Sequence, residues 1–151
     1  MLHNRQANQA LIHSILLYQK YVGRTGVYYG CLRSLASLRH KFWSVVTASD
    51  IHRLASLCPD LALPHPTGVV IHQDVVVGPR CMIMQQVTLG TDATGLAPVL
   101  GADVYVGAGA KVLGGIRVGD RVRIGANAVV LINLPDDCTA VGVPARIVRR
   151  R

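Results

Sequence analysis

No acidic residue occurs among the first 49 positions, and glutamate is missing from the whole 151-residue chain. Arg5, Lys20, Arg24, Arg33, Arg39 and Lys41 therefore stand without a counter-charge, while residues 50–151 set ten bases against eight aspartates. The net charge of +8 gathers in the first third and in the closing Arg149, Arg150 and Arg151. Such patches attract phosphate-rich ligands, nucleic acid or an anionic membrane. The basic residues are not interleaved with aromatics and no nucleic-acid-reading motif is present, so a nucleic-acid partner is not expected. Cys31, Cys58, Cys81 and Cys138 form no CxxC pair, which argues against a dedicated zinc cage and points to a reduced, cytoplasmic protein. The start of the chain lacks a long apolar core followed by a cleavage site. Its longest early apolar run, Ile15 to Tyr18, is far below the roughly 18 to 20 residues that cross a bilayer.

Only 16% of residues are charged and half are hydrophobic, which excludes disorder and suits one globular unit with a sizeable core. A change of pattern near residue 49 divides the chain into an N-terminal helical segment, 1–49, and a second part, 50–151, that ends in a C-terminal tail. In the first part Leu11, Ile12, Ile15, Leu16 and Tyr18 recur at three- and four-residue spacing, as do Leu32, Leu35, Leu38, Phe42 and Val45. Both read as amphipathic helices, broken by glycines at 23, 26 and 30. Their apolar stripes are expected to pack on the rest of the protein or on a neighbouring subunit. Peripheral membrane contact through these basic helices is the alternative.

From residue 69 a period of six takes over. Bulky aliphatics fall at Ile71, Val77, Ile83 and Leu89 and, after one phase break, at Leu100, Val106, Val112, Val118, Ile124 and Val130. Four residues after these positions come Val75, Cys81, Val87, Val104, Ala110, Ile116, Val122 and Ala128, all small or β-branched. Gly78, Gly90, Gly101, Gly107, Gly119 and Gly125 follow directly after aliphatics. An inward aliphatic, a glycine at the turn and a second inward residue mark a solenoid whose coils stack a continuous core. Antiparallel strands would alternate at period two and would not keep glycine in phase.

Six segments add specificity: DIH at 50, LPHPTGVVI at 63, QQVTLGT at 85, VYVGAGAKVLGGIRVGD at 104, RIGANAVVL at 123 and VGVPARIV at 141. Together they make the stretch from Asp50 to Arg151 resemble the hexapeptide-repeat acyltransferases, in the branch of serine acetyltransferases and exopolysaccharide-modifying relatives. The resemblance implies a mainly β fold, a left-handed parallel β-helix behind a short α-helical segment, and homotrimers with active sites between subunits. Residues 91–99 would then form a loop leaving the coil toward a neighbour.

The same resemblance implies an O-acyltransferase with acetyl-CoA as donor substrate. It makes His65, followed by Gly68, the catalytic histidine, and Asp50, fifteen residues earlier, its orienting carboxylate. An imidazole with a pKa near 6.5 suits removal of a hydroxyl proton at neutral pH, and a carboxylate on its other nitrogen fixes the tautomer. The competing readings are a turn histidine for His65 and a helix cap or turn residue for Asp50. His72 reads as structural, with a place on the substrate rim as the alternative. For the donor, the resemblance implies main-chain contacts at Gly107, Ala108 and Ala126, a basic position near the nucleotide at Arg123, and a phosphate contact at Arg146. Small residues there also serve tight coil stacking. No metal is expected: a zinc hydratase on this fold needs three convergent histidines, and the repeat supplies His65 and His72.

Departures from the serine acetyltransferase pattern bear on the acceptor. Pro64 stands where that subfamily has an aspartate and Ala97 where it has a second histidine, the helical segment is short, and the tail ends in arginines instead of a docking isoleucine. These differences favour a carbohydrate hydroxyl, in an exopolysaccharide, a capsule or a precursor, as acceptor. Serine O-acetylation in cysteine biosynthesis is the alternative.

Overall fold

The computed structural model describes residues 2–150, and the side chains of 7–148. The side chains of Arg5, Arg149 and Arg150, and Arg151 as a whole, belong to the expected basic patches and lie outside the described residues. Two helices open the chain, α1 (Leu2–Tyr21) and α2 (Val27–Thr47). Gly23 and Gly26, at φ 80° and 108°, make the turn between them. Gly30, expected to break a helix, lies inside α2. One helical glycine costs about 1 kcal/mol relative to alanine, too little to stop a helix held by tertiary packing.

Leu11, Ile12 and Ile15 of α1 are buried in the same core as the solenoid. In α2 the inward residues are Ala36, His40, Trp43 and Thr47. Of the stripe Leu32, Leu35, Leu38, Phe42 and Val45, expected to pack on the rest of the protein or on a neighbouring subunit, Leu32 is half-buried and the other four are 59–81% exposed on this chain. Within one chain, small Ala36 and the His40–Ser14 contact set the side of α2 that meets α1.

Five coils follow, each laying one short segment on each of three faces. The first holds β1 (Asp50–Ile51), β2 (Ser56–Leu57) and a bridge at Ala62. The second holds β3 (Val70–Ile71), β4 (Val76–Val77) and β5 (Met82–Ile83). The third holds β6 (Thr88–Gly90), β7 (Val99–Leu100) and β8 (Tyr105–Val106). The fourth holds β9 (Lys111–Leu113), β10 (Arg117–Val118) and β11 (Arg123–Ile124). The fifth runs from β12 (Val129–Val130) past a bridge at Leu134 into β13 (Cys138–Gly142). The faces are parallel ladders in the orders β1-β3-β6-β9-β12, β2-β4-β7-β10 and β5-β8-β11-β13. Strand β14 (Ala145–Arg150) pairs antiparallel with β13 and covers that ladder's last edge.

The expected aliphatic positions from Ile71 to Val130 are at most 2% exposed, and the second inward set is buried except Ile116, which is partly buried. The first coil obeys the same rule through Ile51, Leu57 and Leu63, so the period of six begins eighteen residues before the repeat read from residue 69. The eight-residue step from Leu63 to Ile71 hides it: Pro64–Gly68 adds two residues at a corner. The five extra residues of the 91–99 loop fold back onto the next coil, where a Cβ on Gly115 would lie 2.7 Å from the Leu96 Cβ and one on Gly114 2.6 Å from Asp92 Oδ2.

Corners stack as closely as faces. A Cβ on Gly78 would sit 2.4 Å from the Gly101 carbonyl oxygen, and one on Gly101 would sit 2.2 Å from Asp120 Oδ1. That carboxylate accepts the Ala102 N–H at 2.8 Å, using the space a side chain would fill. On the same corner Arg80 pairs with Asp103 and Arg121 with Asp137, each through two hydrogen bonds of 2.6–2.8 Å between successive coils. Among the described residues no helix is long and apolar enough to cross a membrane.

Two outcomes test this packing. Gly78→Ala should cost about 1 to 3 kcal/mol, because the obstacle is backbone and the coil must shift. Urea denaturation reads this, and an unchanged midpoint would contradict the close stacking. The second outcome concerns His40, buried between α1, α2 and β1, whose Nδ1 lies 3.4 Å from Ser14 Oγ. Burial lowers its pKa, against a hydrogen bond to the Ile51 backbone that raises it; the charges of Arg53 and His52 lower it further and Asp50 raises it. Below about pH 6.5 the unfolded chain takes a proton that the folded chain resists, so stability should fall with pH from there down to the folded pKa. Wild type should lose more stability between pH 7.5 and 5.5 than His40→Asn, and equal losses would exclude His40 as the cause.

Candidate active site

The corner between the β5-β8-β11-β13 face and the next face is interrupted once, at Pro64-His65-Pro66-Thr67-Gly68. Neither proline has an N–H to donate to a ladder. Hydrogen bonding resumes where the Gln86 N–H meets the Thr67 carbonyl at 3.0 Å and the Gly68 N–H meets the Ala48 carbonyl at 2.7 Å. Gly68 takes φ +70°, and a Cβ there would press on Gln86 Cγ at 3.2 Å. Leu63 and Pro66 are buried on either side, and His65 is left exposed at the apex.

Asp50 opens β1, its N–H on the Val69 carbonyl at 2.8 Å and its side chain on the exposed face. No hydrogen bond joins Asp50 to His65 among the described residues. Asp50 instead lines a shallow groove with His52, Val70, His72 and Gln73. His52 and His72 stack on successive coils, since Ile51 pairs with Ile71. Each uses Nδ1 to accept the N–H of the residue two further on, Leu54 at 3.2 Å and Asp74 at 3.4 Å, which leaves Nε2 as the protonated nitrogen of the neutral ring. His72 Nδ1 also lies 3.5 Å from Asp74 Oδ2. His52 is missing from the histidines counted in the repeat, because the first coil escaped the period; the twenty-residue offset from His72 is the signal that reveals it. Among the described residues no three His, Cys, Asp or Glu side chains come together as metal ligands.

The expected donor residues share the corner that carries His65. The ladder from Met82 through Tyr105 to Arg123 puts Gln85, Ala108 and Ala126 at equivalent places, three residues on. The Gly109 N–H bonds the Gln85 carbonyl at 2.9 Å and the Asn127 N–H bonds the Ala108 carbonyl at 2.8 Å. Gly107 lies directly against the coil of Ala126: a Cβ there would be 2.6 Å from the Ala126 nitrogen. Gly107 is buried beneath that coil, Ala108 is half-buried and Ala126 exposed, so beyond Gln85 the edge carries only small side chains. The Arg123 guanidinium rests 4.9 Å from the Tyr105 ring centroid on the coil before it. Arg146 lies opposite Val141 in the β13–β14 pair and donates through Nη1 to the Ala145 carbonyl at 3.0 Å. The structure thus joins His65, Gly107, Ala108 and Ala126 along one corner, with Arg123 and Arg146 near its far end, and leaves Asp50 and His72 in the groove.

Comparison with known proteins gives this corner its family. The model of the bacterial transferase hexapeptide (six repeats) matches residues 97–131. A serine acetyltransferase of Synechococcus elongatus is 47% identical over 111 residues, 70% of this chain and 45% of that protein. One of Helicobacter pylori is 41% identical over 145 residues, 92% of this chain and 81% of that protein. A solved serine acetyltransferase in complex with CoA superposes with TM-score 0.74 at 39% identity, over 90% of this chain and 56% of that one. The chain spans about half the length of the Synechococcus protein and of the solved structure. These matches overturn the carbohydrate acceptor, and polysaccharide biosynthesis with it: the whole-length similarity runs to serine acetyltransferases despite Pro64 and Ala97. Two point departures do not outweigh identity sustained across the repeat and the helices. With its left-handed parallel β-helix and 41% identity over four fifths of the Helicobacter pylori protein, the chain belongs to the serine acetyltransferase family of hexapeptide-repeat transferases.

Proposed function

We propose that this chain is an acetyl-CoA-dependent serine O-acetyltransferase, with His65 as the general base. The observation that carries the reading is the shared corner: from the coil of His65 to that of Ala126 is three coil spacings, roughly 14 Å at about 4.8 Å each, passing Gln85 and Ala108. An extended thioester arm lying there brings its carbonyl to the histidine. His65 takes the proton as the serine Oγ attacks the thioester carbon; the C–S bond then breaks and the imidazolium returns the proton to the departing thiolate. Asp50 favours the imidazolium and orients the ring once substrate closes the site, since catalytic hydrogen bonds are often long without ligand. Gly107, Ala108 and Ala126 offer main-chain contacts to the arm, with Arg123 and Arg146 at the phosphate end. The groove is open on a single chain, so the working form in this reading is a homotrimer in which a neighbour supplies the other wall. Four cysteines with no disulfide among them in the described residues suit a reducing cytoplasm.

The donor side is tested by calorimetry and sedimentation. Arg146→Ala should weaken coenzyme A binding about tenfold, about 1.4 kcal/mol, and an unchanged affinity would remove Arg146 from the site. A monomer in the centrifuge with full turnover would overturn the shared groove. For the acceptor side, purified protein is given acetyl-CoA and L-serine while free thiol is followed. His65→Ala should lower transfer by roughly 100- to 10,000-fold with little change in acetyl-CoA affinity. Asp50→Asn should lose less and His72→Ala least. No serine-dependent thiol release from wild type would sink the acceptor, and near-normal turnover by His65→Ala would sink the base.

A further inference from the structure

Asn8 lies on α1, 55 residues before Leu63, yet its Nδ2 donates to the Leu63 carbonyl. That carbonyl stands two residues before His65. On the upstream side the regular ladder last holds the turn where the Ile83 N–H bonds the Ala62 carbonyl at 2.9 Å, and it resumes at Thr67. Between them Pro64 and Pro66 can give no N–H. The Asn8 amide therefore ties the chain at the entry to a turn whose two prolines give the ladder no donor. Asn8 is 7% exposed, and among the described residues its Oδ1 has no hydrogen-bond partner while its Nδ2 has Leu63, so this bond sets how the amide is turned.

Attachment of α1 does not depend on this contact. Leu11, Ile12 and Ile15 are buried in the solenoid core, and Gln19 Nε2 donates to the Arg53 and Ala55 carbonyls at 3.0 and 2.8 Å. Removing the Asn8 amide leaves the helix docked and frees the Leu63 carbonyl. We infer that Asn8 is a positioning residue for the reaction: by holding the Leu63 carbonyl it fixes the entry to the Pro64–His65–Pro66 turn and hence the direction in which His65 faces the substrate. The inference rests on the reading of His65 as the base. Displacement of a catalytic group by about 1 Å can cost up to roughly 100-fold in rate, so a small swing of this turn registers in turnover.

Asn8→Leu keeps the volume and removes the donor; Asn8→Gln keeps the amide on a longer stem. Both are assayed in the full chain beside wild type and His65→Ala, with thermal melting and circular dichroism confirming the fold. Asn8→Leu should lower kcat about tenfold while KM for acetyl-CoA stays within about twofold, and Asn8→Gln should recover part of the loss. A helix dock with no positioning role would lower the melting temperature and leave kcat, measured well below it, at the wild-type value; that result overturns the inference. If Asn8→Leu does not fold, Asn8→Ser, too short to reach Leu63, carries the same expectation. An inactive His65→Ala beside an Asn8→Leu of normal kcat brings down this inference alone. Normal turnover by His65→Ala brings down the base, and the inference with it.

Discussion

Successive coils meet at backbone hydrogen-bonding distance on all three faces, and this closeness governs nearly every residue choice in the solenoid. Coils about 4.8 Å apart leave no space for a side chain at a corner where main chains cross directly. Glycine at 78, 101 and 119 answers to that distance: a Cβ would fall 2.4 Å from the Gly101 carbonyl oxygen, 3.0 Å from the Gly119 carbonyl carbon and 2.6 Å from the Asp136 nitrogen, respectively. Two of the vacated spaces are then used, because Asp120 and Asp136 reach into them and accept the N–H groups of Ala102 and Asp120 at 2.8 and 2.9 Å. The paired arginines and aspartates of this corner, exposed to water, add register more than stability. What stabilises the stack is the buried column of aliphatics, which each coil can complete only against its neighbours.

A constraint repeated at every coil writes itself into the sequence, and that is why the period of six was legible from Ile71 to Val130. Features that occur once were not. The first coil was missed because Pro64–Gly68 shifts the phase, although Ile51, Leu57 and Leu63 obey the same spacing. The stripe on α2 was legible as a helix but not as to its direction: amphipathic spacing says that a face is buried, not by what, and on this chain Ala36, His40 and Trp43 face inward instead. Gly30 misled because local propensity is worth less than packing along a whole helix.

The candidate site divides in the same way. His65 and the Gly107, Ala108 and Ala126 edge could be found because they sit in ordered motifs, and the ladder then brings them to one corner. The family resemblance assigns Asp50 through a fifteen-residue offset from His65, yet in the chain by itself it keeps company with His52 and His72. The carbohydrate acceptor rests on Pro64, Ala97, the short helical segment and the arginine tail, and similarity over up to 92% of the chain corrects it. Asn8 carried no sequence signal at all. A polar residue on a helix 55 positions from its partner has no periodicity to betray it, and only the docking of α1 on the first coil reveals what it holds.

A solenoid that repeats perfectly presents the same edge at every level, and chemistry needs one level that differs. Here the difference is made by breaking the rule that makes the fold: two prolines remove donors from the ladder, two extra residues lift the turn out of phase, and His65 is left at its apex. Such a break takes two donors from the ladder, and at its entry the Leu63 carbonyl is met from outside the coil. The helical segment is not committed to the ladder, and its Asn8 reaches that turn. The helices are thus more than a lid on the first coil's hydrophobic end: the same packing that buries Leu11 and Ile15 delivers a hydrogen bond to the entry of the turn that carries His65.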